Sequence, residues 1–220
     1  MDKKAVLFSE MTPDQAWEAE FNAWYDEEHI PIRMKAPGFT GAQRYRRVDG
    51  PDYLAIYDMT TAGALATPEY QTIKGQPSER TSRMLRDVQG FTRYIGEEID
   101  CVARPDAVAG ELAPYVYAVF FNVPEARAPE FEDWYAQDHI PTLLKCKDWL
   151  MVRRFRIRDG SPEQWSHLAL HYLASTSALD SPERAQARAS AWRDRLAAES
   201  WFKGKYAVFA RHGDRFAGSQ

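Results

Sequence analysis

Two eleven-residue segments hold most of the side chains able to do chemistry. Phe21 to Pro31 contains Trp24, Tyr25, the acidic run Asp26, Glu27 and Glu28, and His29; Phe131 to Pro141 contains Trp134, Tyr135, Asp138 and His139. On a helix, Phe21, Tyr25 and His29 share one stripe, and Phe131, Tyr135 and His139 repeat it. A stripe carrying two aromatics should face a sheet, which brings each histidine inside. A neutral imidazole there needs partners for its nitrogens. With an ordinary pKa near ~6.5, it is also the natural acid–base group at physiological pH. Structurally, each histidine could instead bond a carbonyl where the helix bends at Pro31 or Pro141.

A second set of candidates lies on the strands expected further along. With period two, Tyr53, Ala55 and Tyr57 point one way, and His167, Ala169 and His171 occupy the aligned positions downstream. If that face looks towards the helices, one group is His29, Tyr53 and Tyr57, and the other is His139, His167 and His171. Paired imidazoles around an apolar cavity could act as acid and base with pKa values pushed apart. On the opposite sheet face they would be packing residues. The spacing of His167 and His171, ~13 Å along a strand, is wide for shared chelation, and no carboxylate or thiol sits at a ligand spacing, so no metal is expected.

Arg44, Arg46, Arg154 and Arg156 alternate with Tyr45 and Phe155 on another pair of strands. Such arginines could grip a substrate carboxylate, but pairing with acids across the sheet is the commoner use. The acidic residues before each histidine form a solvated helix edge, from which one could orient an imidazole. Trp24 and Trp134 fall off the histidine stripe as packing residues. Cys101 and Cys146 are the only cysteines, too few for a disulfide framework, and neither has an evident base beside it. No Gly-rich phosphate loop, GxSxG, HExxH or CxxC motif occurs.

The elements that must position these side chains come twice. The two segments are identical at six of eleven positions with an offset of 110, half of the 220 residues. The register continues through Lys35 and Lys145, Arg44 and Arg154, and Arg46 and Arg156. Each half begins with an apolar strand, Ala5 to Phe8 or Tyr115 to Phe121. A helix follows, from about Asp14 to Lys35 or Pro129 to Lys145, which Pro31 or Pro141 should kink or end. Hairpins come next, Ala42 to Val48 with Tyr53 to Met59, and Val152 to Arg158 with His167 to Leu173. A second helix spans Thr81 to Asp87, or Pro182 to Ala198, and a last strand spans Phe91 to Ile99 or Tyr206 to His212. The order β-α-β-β-α-β, repeated, is the ferredoxin-like arrangement. The fold class is α+β, with two such repeats at 1–105 and 114–220, a linker at 106–113, and sheets packing into an intramolecular barrel.

Hydrophobic residues make up 45% and aromatics 13% of the chain, enough for a sizeable core. The net charge of −4, with both signs interspersed, provides no cationic footprint for nucleic acid or an anionic membrane. No apolar run has transmembrane length, and the N-terminus lacks a secretory core, so a soluble cytoplasmic protein is expected.

The Trp-Tyr-x-x-x-His-Ile-Pro segment, in this doubled βαββαβ setting, resembles the EthD-like branch of the dimeric α+β barrel superfamily. The resemblance covers nearly the whole chain, as a tandem fusion of what is usually one domain per subunit. It implies that fold and a small-molecule pocket. It does not name the reaction, because the superfamily includes cofactor-free monooxygenases, polyketide cyclases, muconolactone isomerases, haem-binding peroxidases and proteins of unknown role.

The expected function is cofactor-independent acid–base chemistry, as a lyase, isomerase or cyclase, on an apolar or aromatic carbonyl or lactone compound. Candidate catalytic residues are His139, His167, His171, Tyr135 and His29; candidate substrate contacts are Tyr25, Tyr53, Tyr57, Phe155 and Arg154. His139 would be base or acid, His167 or His171 its complement, and Tyr135 a positioning hydroxyl, with the first copy the degenerate half. Alternatives are a cofactor-free monooxygenase on a phenol or quinol, a haem-binding protein with an axial histidine, and a non-catalytic ligand carrier or scaffold. The expected partner is a small-molecule substrate, and the assembly is either a monomer with an internal pseudodimer or a homodimer.

Overall fold

The computed structural model describes residues 3–107 and 110–218. In the first repeat β1 (Ala5–Met11) leads into α1 (Glu18–Trp24) and α2 (Ile30–Met34), then β2 (Phe39–Arg47) and β3 (Tyr53–Met59). Helices α3 (Pro68–Gly75) and α4 (Glu79–Asp87) precede β4 (Arg93–Ala103). The second repeat follows the same plan: β5 (Tyr115–Phe121), α5 (Ala128–Trp134), α6 (Ile140–Leu143), β6 (Trp149–Ser161), β7 (His167–Leu173), α7 (Pro182–Arg188), α8 (Ala191–Ala197) and β8 (Gly204–Ala217). The expected linker 106–113 includes positions 108 and 109, which lie outside the described residues.

The chain forms two compact units. One holds residues 1–98, 158–163 and 212–220; the other holds 99–157 and 164–211. Strands β4 and β8 therefore each run through both units. Within the first unit the hydrogen-bonded strand order is β4-β1-β3-β2, and within the second it is β8-β5-β7-β6. This is the α+β class with two ferredoxin-like βαββαβ repeats, each with antiparallel strands.

In the first unit, β1 pairs with β3, placing Leu7 opposite Tyr57, and with β4, placing Leu7 opposite Ile95. The same geometry in the second unit sets Tyr117 opposite His171 and Val208. Leu7, Tyr53 and Tyr57 belong to the core built with Phe21, Trp24, Tyr25 and Ile30 of the helical segment. Tyr117, Val119 and Ala169 join Phe131, Trp134 and Tyr135 in the other. The face expected to look towards the helices does so in both units.

Ahead of Pro31 and Pro141 the regular α-helix ends, at Trp24 and at Trp134, and a wider turn takes over. A proline at position 31 cannot donate to the carbonyl four residues earlier, and its ring crowds that carbonyl. The chain relieves the conflict by widening the turn before it. Tyr25–His29 is a π-helical segment in which Ile30 N–H donates to the Tyr25 carbonyl, five residues back, and α2 then continues to Met34. Tyr135–His139 repeats the device before Pro141. The expected long helix from Pro182 to Ala198 is two helices, because the Ser190 hydroxyl accepts from Arg193 N–H and starts α8 anew. Ser78 likewise starts α4, and α3 precedes it in a stretch where no helix is expected. At the entry to β2, Gly38 has φ of 88°, and a Cβ there would stand 2.7 Å from Ala64 Cβ, so this turn requires glycine. No helix among the described residues is long and apolar enough to cross a membrane.

Candidate active site in the first repeat

The π turns decide what surrounds each histidine. A wide turn brings residues five apart into line, so Trp24, expected off the stripe, lies 4.1 Å from the His29 ring centre, and Trp134 lies 4.7 Å from His139. Tyr25 flanks His29 at 4.8 Å. Trp24 is itself fixed, because its indole N–H donates to Thr81 Oγ1 at 2.9 Å.

His29 is 4% exposed, and no hydrogen bond reaches either ring nitrogen among the described residues; Nδ1 is fully buried and unpartnered. Burial, then the charges of Arg33 and Arg44, holds its pKa well below the ordinary histidine value. The ring is therefore neutral, with a free lone pair. Tyr57 Oη is also buried without a partner of hydrogen-bond geometry. It stands near enough to the Tyr25 hydroxyl to lower that group's pKa, but burial raises both phenols overall. Both stay protonated and can donate. The Tyr25 hydroxyl also donates to the Met11 sulfur, at 3.7 Å.

These three groups line a cavity of about 250 Å³. Leu7, Met11, Leu85 and Phe91 supply apolar wall, while Arg33, Lys74 and Arg93 bring positive charge and Tyr70 a further phenol. Tyr53, expected in this group, is elsewhere: its hydroxyl donates to Glu18 Oε1 at 2.5 Å and accepts from Asn22 Nδ2 at 3.2 Å.

In the second repeat the space is nearly filled, with about 40 Å³ left. The register explains why. Tyr117 stands where the first repeat has Leu7, and Tyr206 where it has Arg93; the two phenols stack at 6.0 Å and 14°. His171 replaces Tyr57 and is tied at both nitrogens. Trp149 Nε1 donates to His171 Nδ1 at 3.1 Å. An indole N–H can only donate, so the neutral ring carries its proton on Nε2, which donates to Tyr135 Oη at 3.1 Å. Burial, then His139, keeps His171 well below its ordinary pKa. Burial likewise raises Tyr135. His139 is pushed down to about 4, chiefly by burial.

Of the other expected site residues, His139 keeps a buried, unpartnered Nδ1 beside the small second cavity, whereas His167 and Arg154 are bonded within the protein. His167 Nε2 meets Glu132 Oε1 at 3.1 Å and its Nδ1 meets Ser166 Oγ at 2.9 Å, away from His139. Arg154 is held by both oxygens of Asp100 and donates to the Glu132 carbonyl at 2.8 Å. Its match, Arg44, pairs with Asp26 at 2.8 Å. The strand arginines thus pair with acids. Phe155 lies opposite Leu168 and meets His167 only at a void of about 10 Å³. Asp138 and Glu28 bond Ser190 and Ser78, so neither orients an imidazole. No cluster of three or more His, Cys, Asp or Glu able to hold a metal occurs among the described residues. A porphyrin is larger than the drug-sized ligands that fill pockets of roughly 300–1,000 Å³, so a haem does not fit the His29 cavity.

No family model matches the chain, and no curated protein matches it. Solved structures do. An anthrone oxidase-like protein superposes with a TM-score of 0.69 at 11% identity, covering 100% of this chain and 95% of the other. This is the dimeric α+β barrel fold. A protein provisionally assigned as a monooxygenase, from Fusobacterium nucleatum, matches with a TM-score of 0.65 at 8% identity over 98% of this chain and 95% of its own. A mutant chlorite dismutase from Candidatus Nitrospira defluvii gives 0.60 at 9% identity over 97% and 92%. At such identities the likeness is one of fold.

Tyr70, Lys74, Arg33 and Arg93 escape sequence reasoning. Tyr70 and Lys74 lie on α3, a helix the pattern did not reveal, and Arg93 is recognisable only once β4 is registered against β1.

Proposed function

We propose that this protein is a small-molecule enzyme in which His29 acts as a general base, without a cofactor, on an apolar or aromatic carbonyl or lactone compound. The observation that carries this reading is a buried, neutral imidazole with no hydrogen bond to its ring, facing a cavity of about 250 Å³. Leaving a buried polar atom unpaired costs on the order of 1–3 kcal/mol, so the arrangement favours a ligand that supplies the missing bond.

The steps follow from position. The apolar wall takes the body of the substrate. His29 removes an acidic C–H or O–H proton, and negative charge moves onto the substrate oxygen. The Tyr57 hydroxyl donates to that oxygen, and Arg33 and Lys74 favour the anion electrostatically, while Arg93 is partly offset by its pairing with Asp159. Returning the proton to another carbon completes an isomerisation; expelling a leaving group completes an elimination.

The test is proton–deuterium exchange into aromatic β-dicarbonyl and lactone compounds. Wild-type protein should catalyse exchange, and His29→Gln should lose it by about 10²–10⁴-fold, the usual worth of a positioned base. Exchange that survives in a folded His29→Gln protein refutes the role. A second reading, cofactor-free oxygenation of a phenol or quinol, is favoured by the oxidase-like and monooxygenase-like structural neighbours. It shares the deprotonation step and differs in consuming oxygen, so an oxygen electrode separates the two.

A further inference from the structure

We propose that the second repeat holds an oxyanion site, built from Arg184, Arg188 and Arg193 with the Trp134 indole, that takes the carboxylate or phosphoryl group of a small molecule. It is independent of the reaction assigned to His29. All three arginines line the residual cavity beside Trp134 and His139. No ion pair to any of them occurs among the described residues; Arg184 donates to the Leu179 carbonyl at 2.5 Å and Arg193 to the Arg188 carbonyl at 3.1 Å. Their fields converge, since all three lower the pKa of Tyr206 against the effect of burial. Three like charges converging with no ion pair among the described residues repel one another, and an anion reverses that cost.

A second observation points to the same ligand. Trp134 is 2% exposed and its Nε1–H has no partner. In the first repeat the matching indole donates to Thr81, the third residue after the helix-starting Ser78. In the second repeat the third residue after Ser190 is Arg193. The replacement removes an acceptor and adds a cation. What the site lacks is an acceptor bearing negative charge. About 40 Å³ is room for roughly three water-sized atoms, which suits the head of an oxyanion. Arg188 is exposed and Tyr206 is 47% exposed, so the rest of the molecule can lie outside.

The test is thermal shift and titration calorimetry with inorganic phosphate and with acetate, at ionic strength held constant by chloride. Saturable stabilisation by at least one, with a millimolar Kd, is expected. Affinity should fall at least tenfold in Arg184→Gln/Arg193→Gln, and severalfold in Arg188→Gln, whose exposed side chain makes no hydrogen bond among the described residues, so folding should stay intact. Arg86→Gln, at an exposed arginine that pairs with Asp87 and lines neither cavity, should leave the affinity unchanged. Which anion binds tighter distinguishes a phosphoryl ligand from a carboxylate ligand. The proposal is overturned by neither anion exceeding chloride, or by binding that the arginine variants leave untouched.

Discussion

Acid should unfold this protein through its buried histidines, in a pH window that begins above the ordinary carboxylate pKa values. His29, His139 and His171 all have pKa values lowered in the folded chain, His139 to about 4. In the unfolded chain each returns to ~6.5 and takes up a proton once the pH falls below that value. The unfolded state then binds more protons than the native state, so stability rises with pH across the window. The contribution is fully present above ~6.5 and is lost progressively towards the folded pKa. Each such ring contributes about 1.4 kcal/mol per pH unit once its unfolded form is protonated, and three together about 4 kcal/mol per unit. Against a total stability of roughly 5–15 kcal/mol, that slope should bring unfolding within a few pH units. Urea denaturation at pH 7.5, 6.5, 5.5 and 5.0 measures it. His29→Gln should lower the slope between pH 5.5 and 5.0 by about 1.4 kcal/mol per pH unit. A stability flat from pH 6.5 to 5.0 would mean that the rings titrate normally, and the picture of dry, neutral imidazoles would be wrong.

The size difference between the two cavities should be transferable. Leu7→Tyr should fill the His29 cavity and abolish ligand binding while far-UV circular dichroism stays native; retained binding would show that the ligand sits elsewhere. Trp149→Phe removes the donor that fixes His171 as its Nε2–H tautomer, and should cost about 1–3 kcal/mol by urea denaturation while raising the His171 pKa seen by NMR. Glu132→Gln removes the partner of both His167 Nε2 (3.1 Å) and Arg156 (2.6 Å). It should destabilise the fold by about 1–3 kcal/mol without changing proton exchange into substrate.

The doubled plan was legible in the chain because duplication copies rare residues. Trp24 and Trp134, His29 and His139, and Pro31 and Pro141 recur in register, and alternation on β3 and β7 put Tyr57 and His171 on the helix side. The candidate site was legible only in part. His29, Tyr25 and Tyr57 emerged from helix and strand periodicity, whereas the second repeat drew attention by its count of imidazoles. That count misled, because a histidine tied at both nitrogens, as His171 is, has no lone pair left for a substrate. The π turn could not be read from a 3.6-residue period, and it is what sets Trp24 against His29.

By itself, then, the sequence determined the repeated element order, the faces of the strands and the types of side chain near each pocket, since these follow from local periodicity. Only the tertiary structure decided which pocket is open. Whether Leu7 faces empty space or Tyr117 stacks on Tyr206 depends on register between strands far apart in the chain, and a cavity is what remains after distant side chains have packed.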